Sequence, residues 1–181
     1  MGDISIQDQS RLYSQVGRIR VRASARHIIS ISILNPNEEN GEFQQKEIHE
    51  NFPLIDTVFN QLDAYFLKNL TVFNLPLDWE SLTPFQQLVL RETAMIPFGT
   101  VRSYGGIAAA IGKPRAARAV GAALAKNPFV IVVPCHRVLA ADMSLHGYSA
   151  YNGIQTKASL LALEGVPVVN SHVIGNHKKP L

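Results

Sequence analysis

Cys135 is the only cysteine in this chain of 181 residues, and His136 follows it directly. A sole cysteine forms no internal disulfide and no thiolate-rich zinc site, so it is either an inert buried thiol or a nucleophile. An imidazole close to a thiol is the usual means of forming the reactive thiolate near neutral pH. The pair therefore predicts covalent chemistry at the sulfur, although the dipeptide alone also fits a buried structural thiol.

The residues before this pair predict how it is held. Phe129–Val133 is a continuous apolar run typical of a buried strand, and Pro134 is expected to end it. Cys135 would then lie at a strand end, where a rigid element can direct its side chain into a cleft. Because neighbouring side chains of a strand point to opposite faces, contact between Cys135 and His136 requires a turn.

The N-terminal part predicts an antiparallel sheet covered by a helix. Apolar and polar residues alternate over 17–24 and again over 28–34, with a turn at Arg26 and His27. Residues 35–47 are polar and predict a loop, whereas apolar residues recur at helical spacing over 55–70. We therefore predict a small α/β domain over residues 1–76, with the division from the rest of the chain inside a linker at 71–79.

Residues 77–181 predict a mainly helical domain, which makes the expected fold class α+β. Thr83 and Pro84 are suited to begin a helix that runs to about Met95. Ser103 can cap a short helix, and residues 112–114 form a tight break before a second helix over 115–126. Two short helices joined in this way indicate a helix-turn-helix.

The C-terminal end predicts one further helix and a tail. The helix is expected over about 155–163, with Gly165 as its C-terminal stop. His172 and His177 lie in a polar segment that is expected to fray.

The second helix of the helix-turn-helix has two different faces. Ala117, Val120 and Leu124 repeat at helical spacing and are expected to face the core. Two arginines and small side chains form the exposed surface: Arg115, Arg118, Ala119 and Ala122. Small side chains let a helix approach a partner closely, and arginines can bind phosphates or a groove. The same composition also fits a plain alanine-rich surface helix.

Charge and composition narrow the classes of partner. Residues 1–76 carry a net charge of −2 and residues 77–181 a net charge of +5. A basic C-terminal half suggests nucleic acid, although a charge of this size is also ordinary for such a length. No apolar run reaches the length of a membrane span, and the single cysteine fits a reducing cytoplasmic setting, or a nuclear one in a eukaryote. No zinc-like spacing or phosphate loop is present, so no metal or cofactor is expected.

Several short blocks, in this order and spacing, resemble the O6-alkylguanine-DNA alkyltransferases, also called methylated-DNA–protein-cysteine methyltransferases. They lie between about Thr83 and Val166, and the N-terminal part matches only loosely. The blocks are Pro97-Phe98-Gly99-Thr100-Val101, Ser103-Tyr104, Ala116-Ala117-Arg118-Ala119-Val120-Gly121, Lys126-Asn127-Pro128, Pro134-Cys135-His136-Arg137-Val138, Gly147-Tyr148-Ser149 and Leu163-Glu164-Gly165.

The resemblance implies a DNA-repair activity. An alkyl group, above all methyl, would pass from O6 of guanine in double-stranded DNA to the sulfur of Cys135, without a cofactor. The second helix would lie in the minor groove, and the target nucleotide would leave the base stack before reaction. Each molecule would act once, because nothing in the sequence could regenerate the thiol. We expect the protein to bind DNA as a monomer.

The resemblance also assigns roles to individual residues. His136 would act as base for Cys135 through a bridging water, and Glu164 would orient the imidazole. Asn127 would hold the turn around the site. Tyr104 would help to rotate the nucleotide out, and Arg118 would enter the stack that the nucleotide has left.

Further residues would bind the extruded guanine. The Tyr104 hydroxyl and the backbone N–H of Ser149 would stabilise the leaving base, and the carbonyls of Cys135 and Val138 would accept from its amino group. Tyr148 would line the pocket.

One segment departs from the family pattern, and two other functions remain open. Residues 142–153 lack the glycine-rich character that relatives tend to show around Tyr148 and Ser149, which affects the size of the alkyl pocket. A non-catalytic protein that binds alkyl lesions or regulates DNA would use the same helix-turn-helix, and a cysteine hydrolase would use the same Cys–His–acid set. Cys135 argues against the first, and the basic helix-turn-helix is unexplained by the second.

Overall fold

The structure, a computed structural model, describes residues 6–35 and 53–175. The predicted loop over 35–47 lies almost entirely outside these residues, as does His177. No helix among the described residues is long and apolar enough to cross a membrane.

The N-terminal sheet has three antiparallel strands in the order of the chain: β1 (Gln7–Tyr13), β2 (Gly17–Ala23) and β3 (Ile28–Leu34). The two alternating segments are confirmed as β2 and β3, and the turn between them is closed by a hydrogen bond from Ser24 N to His27 O. Strand β1 was not predicted, because its polar sequence has no apolar alternation. Among the described strands it lies at the edge of the sheet and pairs with β2.

Helix α1 (Pro53–Phe66) covers one face of this sheet. The alternating residues of β2, namely Ile19, Val21 and Ala23, are buried. The buried residues of α1 are Ile55, Val58, Phe59, Leu62, Tyr65 and Phe66. The helix starts and ends a few residues earlier than the periodicity predicted. The larger of two apolar clusters continues from this layer into the C-terminal helices.

The segment predicted as a linker is held against the sheet. Ile28 N donates to Pro76 O, and Asp78 N donates back to Ile28 O. Ile31 forms a further bridge to Phe129, far along the chain. The division into domains at residue 76 stays a prediction, and the two parts are connected by backbone hydrogen bonds as well as by the shared core.

Three helices form the framework of the C-terminal part. Helix α2 (Pro84–Ala94) begins with the predicted cap, in which Thr83 and Gln86 bond reciprocally. Helices α3 (Tyr104–Ala110) and α4 (Ala117–Ala125) form the helix-turn-helix, and α2 packs against both. Helix α4 is shorter than the predicted 115–126, so Arg115 lies in the turn before it. The last helix, α5 (Ile154–Leu163), agrees closely with the prediction.

Two predictions about local structure are wrong. Phe129–Val133 is buried for the most part but forms turns, with Ile131 at φ 73°, rather than a strand. The parallel pair near the site is β4 (Arg102–Ser103) with β5 (Val138–Leu139). His172 is not frayed, because β7 (His172–Val173) pairs with β6 (Val168–Val169) and bridges to Ser144. The α+β fold class itself is confirmed.

Candidate active site

The backbone before Cys135 is shaped by the side chain of Asn127. Its Oδ1 accepts from Phe129 N at 3.0 Å, and its Nδ2 donates to Val133 O at 2.9 Å and to Cys135 Sγ at 3.2 Å. One buried amide therefore closes the turn that replaces the predicted strand, and it also contacts the sulfur. The prediction that Asn127 holds this turn matches the geometry.

Cys135 begins a single 3₁₀ turn, Cys135–Arg137, whose three side chains are all buried. This is the turn that contact between Cys135 and His136 was expected to require. The imidazole nevertheless faces Glu164, and no direct hydrogen bond joins it to the sulfur among the described residues. His136 Nε2 lies 2.8 Å from Glu164 Oε1, whereas the buried Nδ1 has no hydrogen-bond partner in the described part of the chain.

The carboxylate of Glu164 receives donors from four residues. Arg137 donates through Nε to Oε2 and through Nη2 to Oε1, both at 2.8 Å. Tyr65 donates its hydroxyl to Oε1 at 2.7 Å, and Gly99 N donates to Oε2 at 3.2 Å. The side chains of Glu164 and His136 are completely buried, and that of Arg137 is 5% exposed. A carboxylate this well paired stays ionised in the interior.

Gly99 reaches Glu164 because its backbone is in the left-handed region, at φ 74°. A Cβ at this position would lie 3.1 Å from the backbone oxygen of Glu164. Glycine is therefore required both for the conformation and for the close approach to the end of α5.

The pKa values of the three central groups follow from burial and from these contacts. Burial raises the pKa of Glu164, but His136 and Arg137 outweigh it and hold the pKa well below its usual range. Burial lowers the pKa of His136, and Glu164 opposes this shift. With Glu164 ionised, His136 Nε2 carries the proton that it donates to the carboxylate. Nδ1 is then the free basic atom of the imidazole.

The Cys135 thiol is protonated at rest. Burial raises its pKa, while the hydrogen bond from Asn127, the charge of Lys157 and the neighbouring Tyr148 hydroxyl all lower it. The Tyr148 hydroxyl is buried without a hydrogen-bond partner of normal geometry among the described residues, and burial raises its pKa. It is thus a donor held beside the sulfur, and its predicted part in lining a guanine pocket stays a prediction.

Lys157 is a completely buried cation of α5 that the sequence analysis missed. Its Nζ donates to Val138 O at 2.7 Å and to His146 O at 3.2 Å, and no carboxylate pairs with it among the described residues. Burial lowers the pKa of Lys157 to about 8, although the negative charge of the Cys135 thiolate raises it. Lys157 therefore supplies positive charge to the region of the sulfur. Its Nζ donates to the same Val138 carbonyl that was predicted to accept a hydrogen bond from the guanine amino group.

Tyr104 joins the active site to the helix-turn-helix. It is the first residue of α3, its ring lies beside Gly121 of α4, and its hydroxyl donates weakly to His146 O at 3.4 Å. Burial raises its pKa, and the charge of Cys135 raises it further. The hydroxyl is therefore a neutral donor near the sulfur. Ser149 is exposed at the edge of the same region.

The segment that departs from the family pattern is internally bonded. The Ser144 hydroxyl lies 2.7 Å from His146 Nε2 and also donates to Asp142, while the His146 carbonyl accepts from Lys157 and Tyr104. Polar contacts thus fix this loop where relatives were expected to be glycine-rich.

The helix face lies apart from this cluster and matches the prediction with one exception. Arg115, Arg118, Ala119 and Ala122 are exposed. Val120 and Leu124 are buried, whereas Ala117, predicted to face the core, is only half-buried at the first turn of α4. Neither arginine side chain makes a hydrogen bond or ion pair to another described residue, so both are available to an anionic partner.

Three residues of the site were not predicted: Arg137, Lys157 and Tyr65. They differ in whether the sequence pattern could have identified them. Arg137 stands inside the Pro-Cys-His-Arg-Val block. Lys157 precedes Glu164, the residue that caps the C-terminus of α5, by seven residues, which is about two helical turns. Tyr65 gave no signal, because its partner is 99 residues away. Within the described ranges 6–35 and 53–175, no cluster of three or more histidine, cysteine or acidic residues could hold a metal ion.

Fold and site together define an α+β protein in which a buried Cys–His–acid cluster adjoins a helix-turn-helix. Two family descriptions match the chain: the ribonuclease-like domain of 6-O-methylguanine DNA methyltransferase over residues 10–79, and its DNA binding domain over residues 84–166. The chain belongs to the 6-O-methylguanine DNA methyltransferase family.

Individual relatives agree with this assignment. A methylated-DNA–protein-cysteine methyltransferase of Mycobacterium leprae is 49% identical over 112 residues, which are 62% of this chain and 66% of the relative. A crystal structure of Mycobacterium tuberculosis O6-methylguanine methyltransferase, 35% identical, covers 88% of this chain and 93% of its own, with a TM-score of 0.72. A crystal structure of Mycobacterium tuberculosis OGT in complex with DNA, 37% identical, covers 87% and 91%, with a TM-score of 0.71.

Proposed function

We propose that this protein repairs DNA by transferring a methyl or other alkyl group from O6 of guanine to its own Cys135, once per molecule. One observation carries the proposal: the sole cysteine is buried against Asn127, beside a His136–Glu164 pair. Relatives of the chain are named methylated-DNA–protein-cysteine methyltransferases, which supports the same reaction.

The reaction is a displacement at the alkyl carbon. The thiol proton passes to His136 Nδ1, through a bridging water as the family resemblance implies, and the sulfur attacks the carbon. The S–C bond forms as the C–O6 bond breaks, and O6 keeps the electron pair. Glu164 stabilises the imidazolium that results.

The leaving guanine needs donors as negative charge develops on O6. The Tyr104 hydroxyl fits this role, because its present bond to His146 O is long and easily exchanged. The backbone N–H of Ser149, at the exposed edge of the site, is the second proposed donor. The thioether product is stable, and the chain has no second cysteine to resolve it.

DNA binding is assigned to α4 and the turn before it. Small side chains at Ala119 and Ala122 permit close approach to the minor groove, and Arg115 reaches phosphates. Arg118 fills the place of the extruded nucleotide. The Mycobacterium tuberculosis OGT solved with DNA supports this partner. Binding as a monomer, and a cytoplasmic or nuclear location, remain predictions.

Mass spectrometry after incubation with duplex DNA that contains O6-methylguanine tests the proposal. We expect one methyl group per protein molecule, located on Cys135, and no further reaction with excess substrate. Cys135→Ser should lose all transfer and keep DNA binding. Lesion binding without any methylated protein would instead identify a non-catalytic binder, and sustained turnover would identify a hydrolase.

A further inference from the structure

Tyr65 belongs to the N-terminal layer and yet contacts the centre of the site. It lies near the end of α1, is completely buried, and packs edge-on against Phe66 and Phe98. Its hydroxyl donates to Glu164 Oε1 at 2.7 Å. Burial, and the charge of Glu164, raise the pKa of Tyr65 far above its usual range, so the phenol remains a neutral donor.

The same carboxylate oxygen serves three donors. His136 Nε2 and Arg137 Nη2 each lie 2.8 Å from Oε1, in addition to the Tyr65 hydroxyl. Donors that share one oxygen divide its negative charge, and each weakens the bonds of the others. The Tyr65 hydroxyl also directs the positive end of its dipole at the region where the imidazolium forms, which disfavours that cation.

We propose that Tyr65 is a positioning residue of the Cys135 site: it fixes Glu164 Oε1 and limits how strongly this carboxylate stabilises the His136 cation. The inference rests on the proposed function in one respect, the role of His136 as base for Cys135. The other charged or titratable groups that face the pair are Arg137 in the same turn and Lys157 from α5. Tyr148 faces the sulfur.

The sign of the expected effect follows from this arrangement. Without the Tyr65 hydroxyl, Oε1 is shared by two donors and binds the imidazolium more strongly. His136 becomes a stronger base, so the thiolate–imidazolium pair forms at lower pH. Removal of Glu164 charge would act in the opposite direction. Removal of a hydroxyl that only stabilised the fold would change neither the basicity of His136 nor the pH at which the thiolate–imidazolium pair forms.

The test compares Tyr65→Phe with a matched control, Tyr13→Phe. Tyr13 also donates its hydroxyl to a carboxylate at 2.7 Å, Asp63 Oδ1, which is not among the groups that surround Cys135 and His136. The rate of Cys135 alkylation by iodoacetamide is measured from pH 5 to pH 9 by mass spectrometry, which is unambiguous with one cysteine. We expect the Tyr65→Phe profile to move to lower pH, with alkylation at pH 6 about threefold faster. The Tyr13→Phe profile should match wild type.

An unmoved profile for Tyr65→Phe, or a shift to higher pH, would overturn the inference. If Tyr65→Phe fails to fold, site-specific Tyr65→3-fluorotyrosine keeps the ring and strengthens the donor. It should move the profile to higher pH, and no movement would again count against the inference.

Methyl transfer from duplex DNA, measured separately, keeps the two proposals distinguishable. A wild-type protein that accepts no methyl group, together with a shifted Tyr65→Phe profile, would refute the proposed function and leave the role of Tyr65 standing. Normal transfer with an unmoved profile would refute the role of Tyr65 alone.

Discussion

The Cys135 cluster and the exposed face of α4 are built on opposite principles. In the cluster, one carboxylate bonds to four residues drawn from α1, the Gly99 turn and the Cys135 turn. On the α4 face, the side chains of Arg115 and Arg118 make no hydrogen bond or ion pair to another described residue. The cluster should therefore respond to mutation as a coupled unit, whereas the helix face should respond residue by residue.

The largest effect is expected from Glu164→Gln. The amide could still accept a hydrogen bond from His136, but it carries no negative charge. The variant therefore leaves the buried Arg137 guanidinium without a counter-charge. We expect a loss of about 3–5 kcal/mol in the free energy of unfolding, together with slower methyl transfer.

The pH dependence of this loss has a definite sign. The folded pKa of Glu164 is depressed, so the acid contributes its stability fully above pH 4.5 and loses it as the pH falls toward the folded value. Urea unfolding at several pH values checks this. Glu92→Gln is the control, since Glu92 pairs with Arg102 at a site where its side chain is 28% exposed. A loss no larger than that of the control would show that the cluster is not coupled.

The second effect tests the independence of the helix face. Arg118→Ala should slow repair of duplex DNA on the order of 100-fold, because extrusion of the nucleotide costs a few kcal/mol. Reaction with free O6-methylguanine base, and alkylation by iodoacetamide, should change by less than about twofold, since neither requires extrusion. Equal losses with both guanine substrates would place Arg118 in the chemistry or the fold.

The contrast also explains which parts of the molecule could be predicted. Periodicity was sufficient to predict β2, β3 and the exposed face of α4, because that pattern is local in the sequence. The residue pair Thr83 and Pro84 was likewise sufficient to predict the start of α2. The turn after Asn127 could not be predicted from its apolar run. A buried amide there satisfies the backbone in place of strand pairing. An apolar run of this length does not distinguish a paired strand from buried turns that are held by a side-chain amide.

The sequence could identify the residues that carry the chemistry, but it could not predict the hydrogen bonds that connect them. The Pro-Cys-His-Arg-Val block and Glu164 identified the central groups. The donors from Tyr65 and Gly99 depend on how distant segments meet. Lys157 was missed because a lysine on a helix is normally assigned to the surface.

A third, smaller effect concerns that lysine. Lys157→Met keeps the length of the side chain but removes a positive charge that lowers the pKa of Cys135. Alkylation of the thiol at neutral pH should slow by roughly tenfold, the change that 1.4 kcal/mol makes in the thiolate fraction. Lys113→Met, at an exposed position, should leave the rate unchanged.

Stability provides an independent check on the buried cation. The pKa of Lys157 is about 8 in the folded protein, whereas an exposed lysine, as in the unfolded chain, has a pKa of 10.5. Between these two pH values the unfolded chain therefore binds more protons than the folded protein. Wild type should therefore gain stability over Lys157→Met as the pH rises from about 8 toward 10.5. A constant difference across this range would mean that Lys157 is not buried as a cation.

The smallest effect is expected at Arg115, in the turn before α4. If Arg115 contacts one phosphate, Arg115→Ala should weaken binding to every DNA sequence alike, and the slope of log affinity against log salt should fall by about 1. Arg26→Ala, an exposed arginine of the N-terminal turn, should leave the slope unchanged. The Arg115→Ala/Arg118→Ala double variant then decides the comparison. Its loss of DNA affinity should equal the sum of the single losses within about 0.5 kcal/mol, because the two side chains share no partner. A larger departure from additivity would show that the helix face, like the Cys135 cluster, works as a coupled unit.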